Sequence, residues 1–470
     1  MSRLIHKTFP TSLFRLRPEN VHRLNYRKIT FSVRSLSSYK PIELKYPNGK
    51  VLLTKTSKSP TENHVTIDEL LDKDNLRKLM LATYQLEADW FISKLPHNIP
   101  ICLVRNWHRQ SGEKPGTSSL HSKFTVIQPP LPEDRYGSMH AKLMILYYDE
   151  FLRVVVTSAN VTSLDWENFE NAIFVQDFHR AQYKMQHVPA FGKDLYHFLG
   201  ALKVPNFIRN SLTSYDFSTA GVSLIPSVPG CHPNDQEESY GHKRVAQTLK
   251  AHGLMSNCSD NTMKLEYQTS ALGAIDEYWL REFYRSCGGG LAAKGVYDLK
   301  ELPIEIIYPS QSTIDKSIHG HNHQFHLKES FYSRDNFPKK LLRDSVSKQP
   351  GVLSHSKVFL AKLQKSIPMD VGGHAIGWSY LGSHNLSGGG WGKTTSMLSG
   401  MAGSRFRKSH LRINNFDLGV LNIITNDAPI DDSEEIDAKL VSLAAPSYMS
   451  PPPLYHSTDH PYFDAPHSSS

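Results

Sequence analysis

Cysteine is scarce and scattered. The chain holds four, at Cys102, Cys231, Cys258 and Cys287, and none forms a Cys-x-x-Cys pair. That spacing offers no cysteine zinc cluster and points to a reducing compartment. No apolar run reaches the roughly 20 residues of a membrane-spanning helix, so no membrane partner is expected. Acidic residues are nearly missing from the first 40 positions, which carry nine Lys/Arg against the single acid Glu19. The whole net charge of +8 sits there, and the rest of the chain is neutral. The basic pI of about 9.0 therefore gives no reason to expect a nucleic-acid-binding body; any electrostatic groove must come from local arrangement.

What is present is an ordinary globular composition over 470 residues, too long for one core. The reading divides the chain into a basic extension (1–42), two domains (43–232 and 233–465) and a tail (466–470). The Arg- and Ser-rich extension fits either a mitochondrial presequence or a disordered basic arm. Thr66 and Glu69 have the spacing of a capping box. Leu76, Leu79, Met80, Thr83 and Trp90 follow at roughly helical spacing. Ile101–Val104 reads as a buried strand, and 143–148 with 153–157 as a hairpin. A Pro- and acid-rich stretch from Pro226 to Tyr240 marks the domain boundary. Residues 241–255 read as a helix, 304–308 and 358–361 as strands, and 309–350 as an irregular surface excursion. The stretch after Pro446 reads as extended, with disordered last residues. Alternating strands and helices give an α/β class.

The chain repeats itself. MHAKLMILYYDEFLRVVVTSANVTSLDW in the first half matches SHSKVFLAKL, a linker and AIGWSYLGSHNLSGGGW in the second. Each copy runs His-x-Lys, strand, strand, Ser-x-Asn, then Trp six residues after the Asn. Single His-x-Lys matches carry little weight in a chain with 24 histidines. Two more occur, at His121 and His326, without the strand pair or the Ser-x-Asn. The repeated context separates His140 and His355 from these decoys, because it preserves polar chemistry rather than apolar packing.

Residues i and i+2 of an extended chain share a face, so each His points the same way as its Lys. Two such halves facing each other would assemble two imidazoles, the ammonium groups of Lys142 and Lys357, and the carboxamides of Asn160 and Asn385. That set suits a tetrahedral phosphate, with preorganised donors on the non-bridging oxygens. It could do the work of a metal, and no metal or other cofactor is expected. One imidazole can attack phosphorus while the other moves the proton of the leaving group. A second ring nitrogen works best when held by an acceptor. Asn171 and Asp417 occupy similar places after each Ser-x-Asn and are the candidates. The His319, His321, His323, His326 cluster has metal-like spacing but lacks carboxylate or cysteine support.

These residues resemble the phospholipase D superfamily and, within it, the tyrosyl-DNA phosphodiesterase family. Further matching segments are ATYQLEADW, VSLIPSVPG, YGHKRV, SALGAIDEYWL, IEIIYPS and FDLGVL. Superfamily members usually carry His-x-Lys-x4-Asp, and here the Asp positions are Tyr147 and Lys362. That departure argues against the alternative, a phospholipase D-type phosphatidyl hydrolase or transferase. The resemblance implies two α-β-α sandwich domains related by pseudo-two-fold symmetry, with the site between them. It implies hydrolysis of 3′-phosphotyrosyl bonds left by trapped topoisomerase I, and of other 3′ blocking groups. His140 is then the nucleophile and His355 the general acid and base, with Lys142, Lys357, Asn160 and Asn385 as the phosphate clamp. Asn171 and Asp417 stand where the family has Gln and Glu. Tyr136, Thr269, Ser270 and Ser387 are substrate-binding candidates, and Tyr462 a peptide-side aromatic. The implied partners are single-stranded or duplex DNA 3′ ends and a topoisomerase-derived peptide. A monomer is expected, since both catalytic halves lie in one chain; the expected location is the nucleus, with the mitochondrion as the other reading of the N-terminus.

Overall fold

A computed structural model describes residues 43–464, apart from 61, 108–111, 134–135, 182–187, 234–235, 255–262, 290–299, 322–323, 371, 400–405 and 445. The basic extension, the last six residues, Cys258 and His323 lie outside the described residues.

Two large sheets dominate, one of nine strands and one of seven. In the first, Lys78–Thr83 lies parallel to Ile101–Arg105 and antiparallel to Leu143–Tyr147. Leu143–Tyr147 and Phe151–Thr157 form the expected hairpin, and Ala172–His179 pairs next. In the second, Met263–Gln268 lies parallel to Ile304–Tyr308 and antiparallel to Val358–Pro368. His374–Gly382 and then Asp417–Asn426 complete the same order. Even the edges correspond. Lys50–Thr54 pairs with Ala172–His179, as Ser223–Ser227 pairs with Asp417–Asn426. The sequence repeat is thus the visible part of a repeated seven-strand topology.

This topology moves the boundary expected at 232/233. Ser223–Ser227 opens the second sheet, so the division falls before Ser223. Pro226 suggested a linker, but an edge strand tolerates a proline. The helical reading across Leu76–Trp90 is also corrected. Thr66 does cap a helix, Ile67–Leu71, with both capping-box bonds present. Next comes the buried strand Lys78–Thr83, and then the helix Ala88–Lys94. A short apolar run flanked on both faces by protein has no periodicity that separates strand from helix. The excursion at 309–350 contains two short helices and an edge strand, Leu342–Asp344. The extended segment after Pro446 packs into the second half, burying Tyr448, whose hydroxyl donates to Glu266 Oε2 at 2.8 Å.

One apolar core runs through both halves, from Leu143, Ile145 and Val154 to Val358, Leu360, Leu418 and Val420. A second underlies the second sheet, where Tyr267, Trp279, Phe283, Phe359 and Trp391 pack together. The described residues from Leu44 onward form one compact unit. Trp166 and Trp391, which end the repeated motifs, are both buried. They anchor the loops that follow Asn160 and Asn385.

Candidate active site

Each His-x-Lys segment is extended and ends one residue before a central strand, at Leu143 or Val358. Each is held by the other half. Met139 bridges to Phe416, and the His140 backbone N–H donates to the Phe416 carbonyl at 2.8 Å. Ser354 bridges to Glu170, and the His355 N–H donates to the Glu170 carbonyl at 2.9 Å. These reciprocal bridges fix the two histidines against each other through backbone geometry.

Both lysines are buried, and each ammonium is tied to its own histidine's carbonyl. Lys142 Nζ donates to His140 O at 2.7 Å, and Lys357 Nζ to His355 O at 2.6 Å. Burial pushes Lys142 down to about 7. Burial and the neighbouring Lys142 hold Lys357 well below the usual lysine range. Two buried cations side by side are costly; Asp417 and Asp165 offset part of that charge, and an anion between the lysines could offset the rest.

The asparagines are oriented by their surroundings. Asn160 Oδ1 accepts from the Gln85 N–H at 3.3 Å. Asn385 Oδ1 accepts from Ala271 N–H and Thr269 Oγ1 at 3.1 Å, and from Ser270 Oγ at 3.3 Å. Donors surrounding one end of a carboxamide leave its amino end to face an oxyanion. Thr269 and Ser270, expected at the substrate, are buried, and their hydroxyls are the donors that hold Asn385. Ser387 caps a one-turn helix by accepting from Gly390 N–H.

Asp417 faces the histidine of the other half. Its Oδ1 lies 2.8 Å from His140 Nδ1, so the second half supplies the acceptor for the first half's histidine. Ser383 Oγ donates to the same oxygen at 2.7 Å. Asn171 does not hold a histidine. Its Oδ1 accepts from Ser158 and its Nδ2 donates to the Asp165 carbonyl. The carboxylate facing His355 belongs to Asp165, with Oδ2 3.5 Å from His355 Nδ1, an ion-pair distance rather than a well-formed hydrogen bond. Asp165 escaped the sequence reading because the matching position in the other copy is Gly390. The one signal was a lone acid, directly before Trp166, in a motif with no acid in its twin.

Burial and Lys142 drive the His140 ring down to about 4, against the opposing pull of Asp417. Burial and Lys357 take His355 down to about 3. Burial alone would raise Asp417, but the imidazoles of His140 and His384 and its hydrogen bonds keep it far below the usual carboxylate range. Drawn down this far, both imidazoles are neutral at pH 7 in the free site. Tyr84 also enters the site, its ring centre 5.3 Å from that of His140 and 5.7 Å from Lys142 Nζ. Tyr136 is 95% exposed. Tyr462 is buried, beside the ring of His321.

His326 and its neighbour His321 have partners of their own. His326 faces Asp464 at 3.5 Å and His321 faces Asp315 at 3.0 Å. Among the described residues no group of three His, Cys, Asp or Glu converges as metal ligands would. At the two positions where the superfamily carries Asp, Tyr147 packs in the first core. Lys362 is buried and paired with Glu266 at 2.6 Å and Asp437 at 2.5 Å.

Two sheets of like topology, presenting paired His-Lys-Asn sets to one cleft, define a phospholipase D-type phosphotransfer fold. The family model for tyrosyl-DNA phosphodiesterase matches residues 50–456, and the chain belongs to that family. It is 26% identical over 417 residues to tyrosyl-DNA phosphodiesterase 1 of Arabidopsis thaliana, covering 84% of this chain and 65% of that protein. It is 23% identical to the Drosophila melanogaster protein of the same name, covering 81% and 67%. The chain thus spans about two thirds of the length of these relatives. The crystal structure of the yeast tyrosyl-DNA phosphodiesterase superposes with a TM-score of 0.63 at 18% identity, over 89% of this chain and all of that one.

Proposed function

We propose that this chain hydrolyses 3′-phosphotyrosyl bonds at DNA ends, of the kind left by a trapped topoisomerase, and serves DNA repair. The observation that carries the reading is the crossed pair of histidines, each against a carboxylate of the opposite half, over two buried lysines. His140 Nε2 attacks phosphorus, and the bond to the tyrosyl oxygen breaks in line. His355, protonated once substrate offsets the lysines' charge, gives its proton to that oxygen. Tyrosine leaves readily because its pKa is only about 10. His355 then takes a proton from water, whose oxygen displaces His140 and releases a 3′-phosphate. Lys142, Lys357, Asn160 and Asn385 clamp the non-bridging oxygens throughout.

Tyr136 would stack on a base, and Ser387 would line the same side. The peptide would lie toward Tyr462. A phosphatidyl substrate is disfavoured by the filled superfamily Asp positions, Tyr147 and Lys362. The same chemistry would clear other 3′ blocking groups. A substrate of this kind places the protein in the nucleus. A reporter fused to residues 1–42 tests the mitochondrial alternative.

The decisive assay uses an oligonucleotide bearing 3′-phosphotyrosine in EDTA. Release of 3′-phosphate is expected. Turnover that appears only on adding a divalent metal would reject the mechanism.

A further inference from the structure

The two bridges that hold the histidines differ in one side chain. Met139 lies against Phe416, and Ser354 against Glu170. Phe416 and Glu170 stand at matching places, one residue before Asp417 and one before Asn171. Phe416 is buried in the core that runs through both halves. Glu170 is just as buried, yet it carries a carboxyl group. The phosphate clamp and the proton transfers leave that group unused.

Phe416 shows that apolar packing can close such a corner. A buried carboxyl is costly unless its oxygens find partners. Both oxygens of Glu170 find them in the other half. Ser347 Oγ donates to Oε2 at 2.7 Å, and Gln349 Nε2 donates to Oε1 at 2.6 Å. Gln349 is oriented in turn, since its Oε1 accepts from Thr56 Oγ1 at 3.0 Å. The backbone of Glu170 continues the grip. Its N–H donates to the Leu353 carbonyl at 3.0 Å, and its carbonyl accepts from the His355 N–H at 2.9 Å. Ser354 Oγ donates to the same carbonyl at 3.2 Å. The preceding residue, Phe169, is buried in the second core against Phe325. The segment 347–355 is therefore tied at both ends to one residue of the first half. The loop that offers Asp165 to the His355 ring also ends in the residue that holds the His355 backbone.

We propose that Glu170 is a positioning residue for His355, locking it in place for the breakdown of the phosphohistidine. The proposal rests on the reading of the site as a phosphodiesterase that forms this adduct. His140 is held apart from the lock, its backbone by Phe416 and its ring by Asp417. The two chemical steps also lean on His355 unequally. A tyrosyl oxygen, with a pKa of about 10, leaves with little help. Water, with a pKa of about 15.7, needs a well-placed base. Loosening the lock should therefore slow the second step more than the first.

Burial lifts the Glu170 carboxyl to about 7, against the pull of Ser347, Gln349 and Lys348. A neutral carboxyl pairs one donor with one acceptor, as a carboxamide does. Glutamine at this position can accept from Gln349 and donate to Ser347 Oγ, so it preserves the lock.

The test is a single-turnover assay with a 3′-phosphotyrosyl oligonucleotide, following the phosphohistidine by mass spectrometry. In Glu170→Ala, adduct breakdown should slow about 10–100-fold, the scale of a misplaced catalytic group, and adduct formation should change far less. Ser347→Ala removes one of the two bonds and should slow breakdown by a smaller factor. Glu170→Gln should restore it. A role in stability alone would lower the melting temperature and leave the ratio of the two steps unchanged. Equal slowing of both steps in folded variants, or no slowing, would overturn the proposal. Should Glu170→Ala fail to fold, the ratio in Ser347→Ala decides. If the native chain forms no adduct, the reading of the site fails by itself. Hydrogen exchange in Glu170→Ala and Ser347→Ala then decides the lock. Exchange should speed up at residues 353–356 and stay unchanged at 139–142, and equal changes or none would reject it.

Discussion

The two halves share a strand order but support their histidines differently. In the second half the acceptor grows from the first residue of a central strand, Asp417, at 2.8 Å from His140. In the first half that position is Asn171, and the acceptor comes from the loop, Asp165, at 3.5 Å from His355. The serines of Ser-x-Asn have kept matching places. Ser383 donates to Asp417, and Ser158 to Asn171. A carboxylate moved by six residues thus serves the same ring nitrogen through a looser contact. The difference suits a division of labour. A nucleophile needs a fixed ring, whereas a group that gives and then takes a proton gains from a weaker partner.

Removing the histidines should break the symmetry most. His140→Ala should abolish the covalent adduct and lower kcat by about 10³-fold or more, the scale seen when a nucleophile is deleted. His355→Ala should instead accumulate a phosphohistidine, visible by mass spectrometry after acid-free quenching. An adduct in the first variant and none in the second would reverse the assignment.

The acceptors come next. Asp417→Asn should cost about 10–100-fold in kcat, the usual range for a partner orienting a functional imidazole. Asp165→Asn should cost less, since its contact is longer. Asp165 having the larger effect would contradict the division drawn above.

The lysines give a pH signature. Lys142 is held at about 7 in the free site by burial, and a bound anion raises it. Anion affinity is therefore fully present below pH 7 and is lost as pH rises through 7 toward the bound value. Sulfate, whose charge is constant over this range, should bind more weakly at pH 9 than at pH 6 by calorimetry. A flat profile would mean that Lys142 does not face the anion.

The smallest effects separate the serines. Ser383→Ala and Ser158→Ala should each cost about 1–2 kcal/mol of stability, since each leaves a buried acceptor short of a donor. Only Ser383→Ala should also lower kcat, through Asp417. Thermal melts alongside single-turnover rates resolve the two.

Much of the site was legible because its chemistry is repeated. His140, Lys142, Asn160 and their counterparts stand in matching strings, and composition cannot mimic a string. Asp165 was not legible, since its twin is Gly390 and the repeat offers nothing to align it with. That Thr269 and Ser270 donate to Asn385 Oδ1 was not legible either, since 115 or more residues separate them from it in the sequence. The strand Lys78–Thr83 read as helix because burial on both faces erases periodicity. Ser223–Ser227 was hidden by Pro226, whose edge position only the pairing reveals.

By itself, the sequence determined the family, the doubled α/β plan and the His-Lys-Asn sets, because local strings encode strand, turn and functional group together. Only the tertiary structure decided which carboxylate serves which histidine and where the second half begins. Those facts rest on contacts between residues up to 277 positions apart, such as His140 with Asp417, and such pairings leave no trace in local order.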